Sequence, residues 1–255
     1  MGGFEQSVFS YLVLAGFISA PIVFFSLFFV AAPYGRHGRS GWGPTINSVT
    51  GWVIMESVAV IAFGAFFIMG VGVGGGVVWI FFTLWQIHYV HRALIFPFRM
   101  QSNGKRNPVA IVLMAIIFNV YNGYLNGRYL GTHADRYDTA WLTQPCFIVG
   151  VLLFFVGMAI NIHSDQILFR LRQAGKRGYR VPFGGMYRFV SCPNYLGEIL
   201  QWTGWAIATW SLPGLVFAVW TAANLVPRAR THHLWYRDRF PNYPAERKAI
   251  VPWIY

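Results

Sequence analysis

Charge is scarce in this chain. Asp, Glu, Lys and Arg make up 11% of its 255 residues, against about 25% in a soluble domain. So few charges cannot cover a water-facing surface, which excludes an ordinary soluble fold and points to an integral membrane protein. Acid is the scarcer sign: eight Asp and Glu stand against 20 Lys and Arg. Cysteine is limited to Cys146 and Cys192, which are expected on opposite sides of the membrane, too far apart to bridge. No Cys/His spacing suits zinc, no G-x-x-x-x-G-K loop suits phosphate, and no nucleophile elbow is present. His232 and His233 are adjacent, point apart on a helix, and are poor joint metal ligands. The opening "MGGFEQS" has Gln6 where a myristoylation signal needs Ser or Thr. No basic stretch precedes the first apolar run, so no secretory leader is expected.

Apolar residues dominate instead, at 56% of the chain. A spanning helix needs about 20 of them in succession. Seven runs qualify: Gln6–Ala32, Asn47–Met69, Gly76–Phe98, Pro108–Leu130, Trp141–Leu171, Asn194–Trp210 and Leu212–Thr231. The expected fold is an all-α integral membrane protein of seven transmembrane helices. "SLPG" joins the last two runs as a tight hairpin. Lys and Arg mark cytoplasmic loops, and 18 of the 20 fall on one side of this arrangement. That places the C-terminus in the cytoplasm and the N-terminus outside. The net charge of +12 is then largely topology, and no nucleic-acid partner is expected. Arg is densest between runs five and six and in the tail, where it suits anionic lipid headgroups or an anionic ligand such as a nucleotide. "GVGVGG", Gly70 to Gly75, follows no strand and lies in an outer loop, so it is not a dinucleotide fingerprint.

Ionisable groups at membrane depth are costly, and helical spacing gathers them into stripes. Trp52, Glu56, Ala59 and Phe63 share one face of the second run; Trp85, Tyr89, Arg92 and Phe96 share one of the third. Asn161, Asp165 and Arg172 align in the fifth, while His163 points nearly the other way. Asn194, Glu198, Gln201 and Trp205 align in the sixth, and Asn224, Arg228 and Thr231 in the seventh, with His232 at the edge. Interhelical hydrogen bonding accounts for any single Asn or Gln. Three buried acids, Glu56, Asp165 and Glu198, ask for more, because each must be paired or protonated. A cytoplasm-facing cavity lined by Asn, Asp, Glu, Tyr and Arg would suit a nucleotide cofactor.

Longer strings carry a resemblance. "INIHSD" at Ile160–Asp165, "YRVPFGGMYRFVSCPNYLGEILQWTGWAIATWSLP" at Tyr179–Pro213 and "YPAERKAIVPWIY" at Tyr243–Tyr255 closely resemble the steroid 5α-reductase family, as do "HYVHRALIF" at His88–Phe96 and "PYGRH" at Pro33–His37. The likeness runs through most of the chain and is densest from Asn161 onward. It implies seven membrane helices and NADPH-dependent reduction of the 4,5 double bond of a 3-oxo-Δ4-steroid. By position it implies Glu56 and Tyr89 as the pair holding the substrate ketone. It implies Tyr34, Asn161, Asp165, Arg172, Tyr179, Asn194, Glu198, Arg228, His232, Tyr236 and Arg247 around the NADPH. Met55 and Met114 depart from the family pattern, so the substrate end is expected to differ more than the cofactor end. Trp52 and Phe118 are candidates for a flat apolar slot around the substrate.

The expected organisation is one membrane domain, 1–255. Helices one to four, about 1–130, form its substrate side. Helices five to seven, about 141–255, carry the cofactor with the loop 173–193 and the tail. Expected partners are a steroid or other lipid enone and membrane lipids; a monomer is expected, with no metal. Two rivals share features. A membrane methyltransferase of the isoprenylcysteine type has a similar turn, Glu and hairpin, but its cofactor has no phosphates to use the Arg-rich segments. A lipid-binding or transport bundle would need no dinucleotide.

Overall fold

The computed structural model describes residues 1–30, 37–38, 41–71, 76–100, 104–173 and 178–255. Helix dominates. α1 is Gly3–Phe29, α2 Ser48–Ile68 and α3 Val78–Val90. A π-helical turn, His91–Ile95, and a short α4, Phe96–Arg99, continue α3. α5 is Val109–Thr132, α6 Pro145–Gln173, α7 Pro193–Thr209 and α8 Leu212–Arg239. These stretches overlap the seven apolar runs. Four of them, Gly3–Phe29, Ser48–Ile68, Val109–Thr132 and Pro145–Arg172, are long and apolar enough to cross a membrane. The other three fall short for visible reasons. The regular part of α3 has 13 residues and α7 has 17, while the second half of α8 carries Arg228, Arg230, Arg237 and Arg239. The sequence also hid a two-stranded antiparallel ribbon, β1 (Thr45–Asn47) with β2 (Arg106–Pro108). Three-residue strands are too short to show a period of two.

The chain divides into two compact units. The first comprises Met1–Ala15, Ala32–Ile148 and Ser211–Pro213. Its α2 starts cleanly because the Asn47 side chain accepts hydrogen bonds from the Val49 and Thr50 amides at 2.9 and 3.3 Å, filling two otherwise orphaned donors. α5 approaches α2 along Gly123, Gly127 and Gly131. A Cβ at any of the three would overlap α2 backbone at Phe63 or Phe67. In lipid no hydrophobic force drives helices together, so close backbone packing through small residues does that work. Across the same unit, Arg128 of α5 grips Glu5 of α1 with two hydrogen bonds, Nε to Oε1 at 2.6 Å and Nη2 to Oε2 at 2.9 Å. Nearby, Asp138 caps the turn Thr139–Thr143 by accepting from the Trp141 amide.

The second unit comprises Gly16–Ala31, Val149–Trp210 and Gly214–Tyr255. Its centre is the antiparallel contact of α6 with α7. Gly150 and Gly157 of α6, seven residues apart, meet Ala208 and Gln201; Gly197 and Gly204 of α7, also seven apart, meet Asn161 and Phe154. Each glycine abuts backbone of the partner helix, so the two backbones are in direct contact. Pro193 opens α7 at a position where its missing N–H costs nothing.

Candidate functional site

In the first unit, α2 is braced from both sides. Asn119 of α5 donates to the Met55 carbonyl at 2.7 Å, and the Trp85 indole of α3 donates to the Ala59 carbonyl at 3.1 Å. Trp85 also stacks on Phe63, ring centroids 4.3 Å apart, and Tyr89 lies against Trp85 at 4.9 Å. Farther along, the Trp52 indole donates to the Arg92 carbonyl at 3.1 Å. The π turn explains that bond. The Phe96 amide is taken by the His91 carbonyl, and Pro97, five residues beyond Arg92, has no N–H to offer. The Arg92 guanidinium covers the rings of Trp52 and Phe96 at 5.0 and 4.6 Å.

The α3 face read from the sequence is thus the face that meets α2. By chain position Glu56 lies between Trp52 and Ala59, and Tyr89 between Trp85 and Arg92, the residues that make these bonds. Tyr89 is buried and Glu56 half-buried. Trp52 is committed to Arg92 through both its N–H and its ring. Phe118 is half-buried one turn from Tyr121, with centroids 6.2 Å apart.

In the second unit, the close α6–α7 contact brings Asn161, Asp165 and Asn194 together. Asn161 Nδ2 donates to the Asn194 carbonyl at 2.9 Å, and Asn194 Nδ2 donates to Asp165 Oδ1 at 3.1 Å. Asp165 is 5% exposed and tolerable there, because an amide and the positive end of α7 both stabilise a carboxylate. Arg172, aligned with them by spacing, lies exposed in the last turn of α6. His163 packs against Gly185, where a Cβ would overlap its ring. Glu198 is half-buried on α7.

α8 adds a wall of rings and cations. His232 Nε2 lies 3.0 Å from the Tyr195 hydroxyl. Arg228 donates to Asn224 Oδ1 at 3.1 Å and covers the Tyr195 ring at 5.5 Å. Tyr236 stacks on Tyr243 at 5.4 Å, and Tyr179, partly exposed, meets Trp235 edge-on at 5.1 Å. Arg247 is 2% exposed. Its guanidinium covers Phe183 and Tyr243 at 4.8 and 5.2 Å, yet its Nε and Nη1 find no hydrogen-bond partner among the described residues. Arg180 Nη2 and both amide atoms of Gln201 are buried in the same condition. The sequence placed Gln201 on the polar stripe but assigned neither it nor Arg180 to a ligand. Tyr34 lies outside the described residues. Among the described residues, no His/Cys/Asp/Glu cluster could hold a metal ion.

His233, next to His232, titrates. Burial, then the charges of Arg237 and Lys248, hold its imidazolium below the ordinary histidine range. The unfolded chain takes up this proton near pH ~6.5, before the folded one does. This residue's contribution to stability is therefore intact above that pH and declines as pH falls below it. Thermal unfolding across pH 7 to 5 is expected to show that decline, and a flatter profile in His233→Asn.

The sequence model of the 3-oxo-5-alpha-steroid 4-dehydrogenase family matches residues 105–255. The steroid 5-alpha-reductase DET2 of Gossypium hirsutum is 40% identical over 255 residues, covering 98% of this chain and 99% of that protein. The DET2 of Arabidopsis thaliana is 38% identical over 98% of each chain. The human 3-oxo-5-alpha-steroid 4-dehydrogenase 1 is 40% identical over 87% of this chain and 86% of its own. This chain therefore belongs to the steroid 5α-reductase family of oxidoreductases. Membership sets aside the methyltransferase and lipid-bundle readings.

Proposed function

We propose that this protein reduces the 4,5 double bond of 3-oxo-Δ4-steroids with NADPH, from a seven-span fold whose cofactor end faces the cytoplasm. The observation that carries the cofactor is Arg247. A permanently charged guanidinium buried between two rings, with Nε and Nη1 unpartnered among the described residues, is costly, and an anion is what satisfies it. Its planar fork suits phosphate. The orphaned Arg180 Nη2 adds a second donor of the same kind. Asn161, Asp165 and Asn194 offer amide and carboxylate groups suited to a carboxamide, a ribose or adenine. The ring-lined wall of Tyr179, Tyr236 and His232, with Arg228 and Glu198, would hold the rest; Tyr34 and Arg172 complete the proposed set. These residues fit a phosphorylated dinucleotide.

When bound, NADPH supplies a hydride. The chain's own contribution lies at the other reactant. As the β-carbon of an enone gains hydride, negative charge develops on the ketone oxygen. The Tyr89 phenol donates a hydrogen bond to that oxygen, and Glu56, when protonated, donates a second or orients Tyr89. Donors already aimed where charge develops need no reorganisation during the reaction. The bracing of α2 by Asn119 and Trp85 holds this pair in place. Trp52 and Phe118 are proposed to border the substrate. By this reading helices one to four serve the steroid, and helices five to seven with the tail serve NADPH.

The experiment is NADPH oxidation by purified protein with a panel of steroidal and non-steroidal enones. Turnover confined to 3-oxo-Δ4-steroids supports the reading; no oxidation with any of them counts against it. Arg247→Ala is expected to weaken NADPH binding by roughly tenfold or more, the loss of charge-assisted hydrogen bonds of about 1.5–3 kcal/mol. Equal affinity in mutant and parent, by calorimetry, would remove Arg247 from the cofactor site.

A further inference from the structure

The tail that carries Arg247 is tied down at one point by a cluster of hydrogen bonds. Ser191, 3% exposed, stands two residues before α7. Its Oγ lies 2.6 Å from the Tyr243 hydroxyl, 2.7 Å from His233 Nδ1 and 3.2 Å from the Lys248 carbonyl. Around it the tail pairs with the chain before α7 through a single parallel bridge, Val190 with Lys248. The Ser191 amide donates to Lys248 at 2.8 Å, the Cys192 amide to Ala249 at 3.2 Å, and the Lys248 amide to Phe189 at 3.0 Å.

A serine hydroxyl has one hydrogen to give and two lone pairs to receive with. A carbonyl only accepts. All three contacts are therefore made at once only when Ser191 donates to Lys248 while Tyr243 O–H and His233 Nδ1–H donate to Ser191. That arrangement uses the hydroxyl fully and sets the His233 tautomer.

We infer that Ser191 is a positioning residue for cofactor binding: its hydroxyl latches the C-terminal tail, and with it Arg247, to the start of α7. The inference rests on the NADPH reading above. Three segments meet at this one oxygen, and each carries a proposed cofactor residue. Asn194 lies three residues after Ser191. His232 adjoins His233. Arg247 lies between Tyr243, whose ring its guanidinium covers, and Lys248, whose carbonyl and amide are both bonded. Releasing the hydroxyl frees the Tyr243 flank of Arg247 and leaves the Lys248 flank held by backbone bonds alone, without removing any group that would touch NADPH.

The test compares Ser191→Ala, Tyr243→Phe, His233→Ala and His233→Asn with the parent. The Asn amide can supply an N–H where the imidazole Nδ1–H stood, so it is the rescuing variant. KM and kcat are measured for a turned-over enone, NADPH affinity by calorimetry, and backbone hydrogen exchange across Lys248–Val251 without NADPH. Ser191→Ala and His233→Ala are expected to raise the NADPH KM and Kd roughly 3- to 10-fold, the worth of one or two hydrogen bonds. Their kcat is expected to stay within about twofold, with faster exchange in the tail; His233→Asn is expected to resemble the parent. Parent-like NADPH affinity in Ser191→Ala would overturn the inference. So would equal loss in His233→Asn and His233→Ala, or a fall in kcat without a change in KM. Failure of the parent to bind NADPH would overturn the cofactor reading and the inference with it. It would be recognisable by itself, because tail exchange is measured without the cofactor.

Discussion

Tyr89→Phe is expected to lower the rate of enone reduction by about 10²- to 10³-fold, the usual cost of losing one donor to a developing oxyanion, with NADPH affinity unchanged. The substitution removes one oxygen and leaves the ring that packs on Trp85 at 4.9 Å. Folding is therefore expected to survive, and a thermal melt checks that it does. The effect should fall on kcat, because the phenol's hydrogen bond strengthens as charge builds on the ketone and is weaker in the ground state. Glu56→Gln separates two roles for its neighbour. A Gln amide still donates, so a rate near the parent's would assign Glu56 as a donor, and a loss as deep as that of Tyr89→Phe would require its carboxyl chemistry. A Tyr89→Phe enzyme that reduces enones at the parental rate would remove Tyr89 from the ketone.

Gly157→Leu is expected to abolish the α6–α7 contact. A Cβ at Gly157 would overlap the Gln201 amide nitrogen and the Gly197 carbonyl, and neither is the end of a flexible side chain. The helices must separate, at about 3 kcal/mol or more, the upper range for overpacking. Separation also parts Asn161 from the Asn194 carbonyl and Asn194 from Asp165, so NADPH affinity is expected to be lost along with stability. Gly157→Ala, which adds only the Cβ, should show the same loss in milder form. The checks are the thermal midpoint in detergent and calorimetric titration with NADPH. A Gly157→Leu protein as stable as its parent would show that the two helices do not pack through this glycine.

Helical periodicity reads local geometry, and the structure agrees with it wherever the geometry is local. Spacing puts Trp85, Tyr89, Arg92 and Phe96 on one face, and Trp85, Arg92 and Phe96 of that face meet α2. Spacing puts Asn161 and Asp165 on one face, and both bond Asn194. It turns His163 elsewhere, and His163 packs on Gly185. Arg172, read as aligned with Asn161 and Asp165, lies exposed in the last turn, because a stripe drawn along an ideal helix says nothing of where the neighbouring chain ends. The π turn at His91–Ile95 is not legible in the sequence because it depends on which amide each carbonyl finds, and the sequence shows only Pro97.

Composition and spacing alone determined that this is a helical chain for an apolar environment, where its long helices begin to within a few residues, and which family it belongs to. Those properties follow from contacts between residues a few positions apart and from long colinear strings. Only the tertiary structure decided the partners: Glu5 for Arg128, Asn119 for the carbonyl beside Glu56, and Ser191 for His233, Tyr243 and Lys248. These partners are 42 to 123 residues apart in the chain. No local period links residues so distant. They meet only where the chain folds back on itself, as where the glycines of α5 let it close on α2 and bring Asn119 to the Met55 carbonyl.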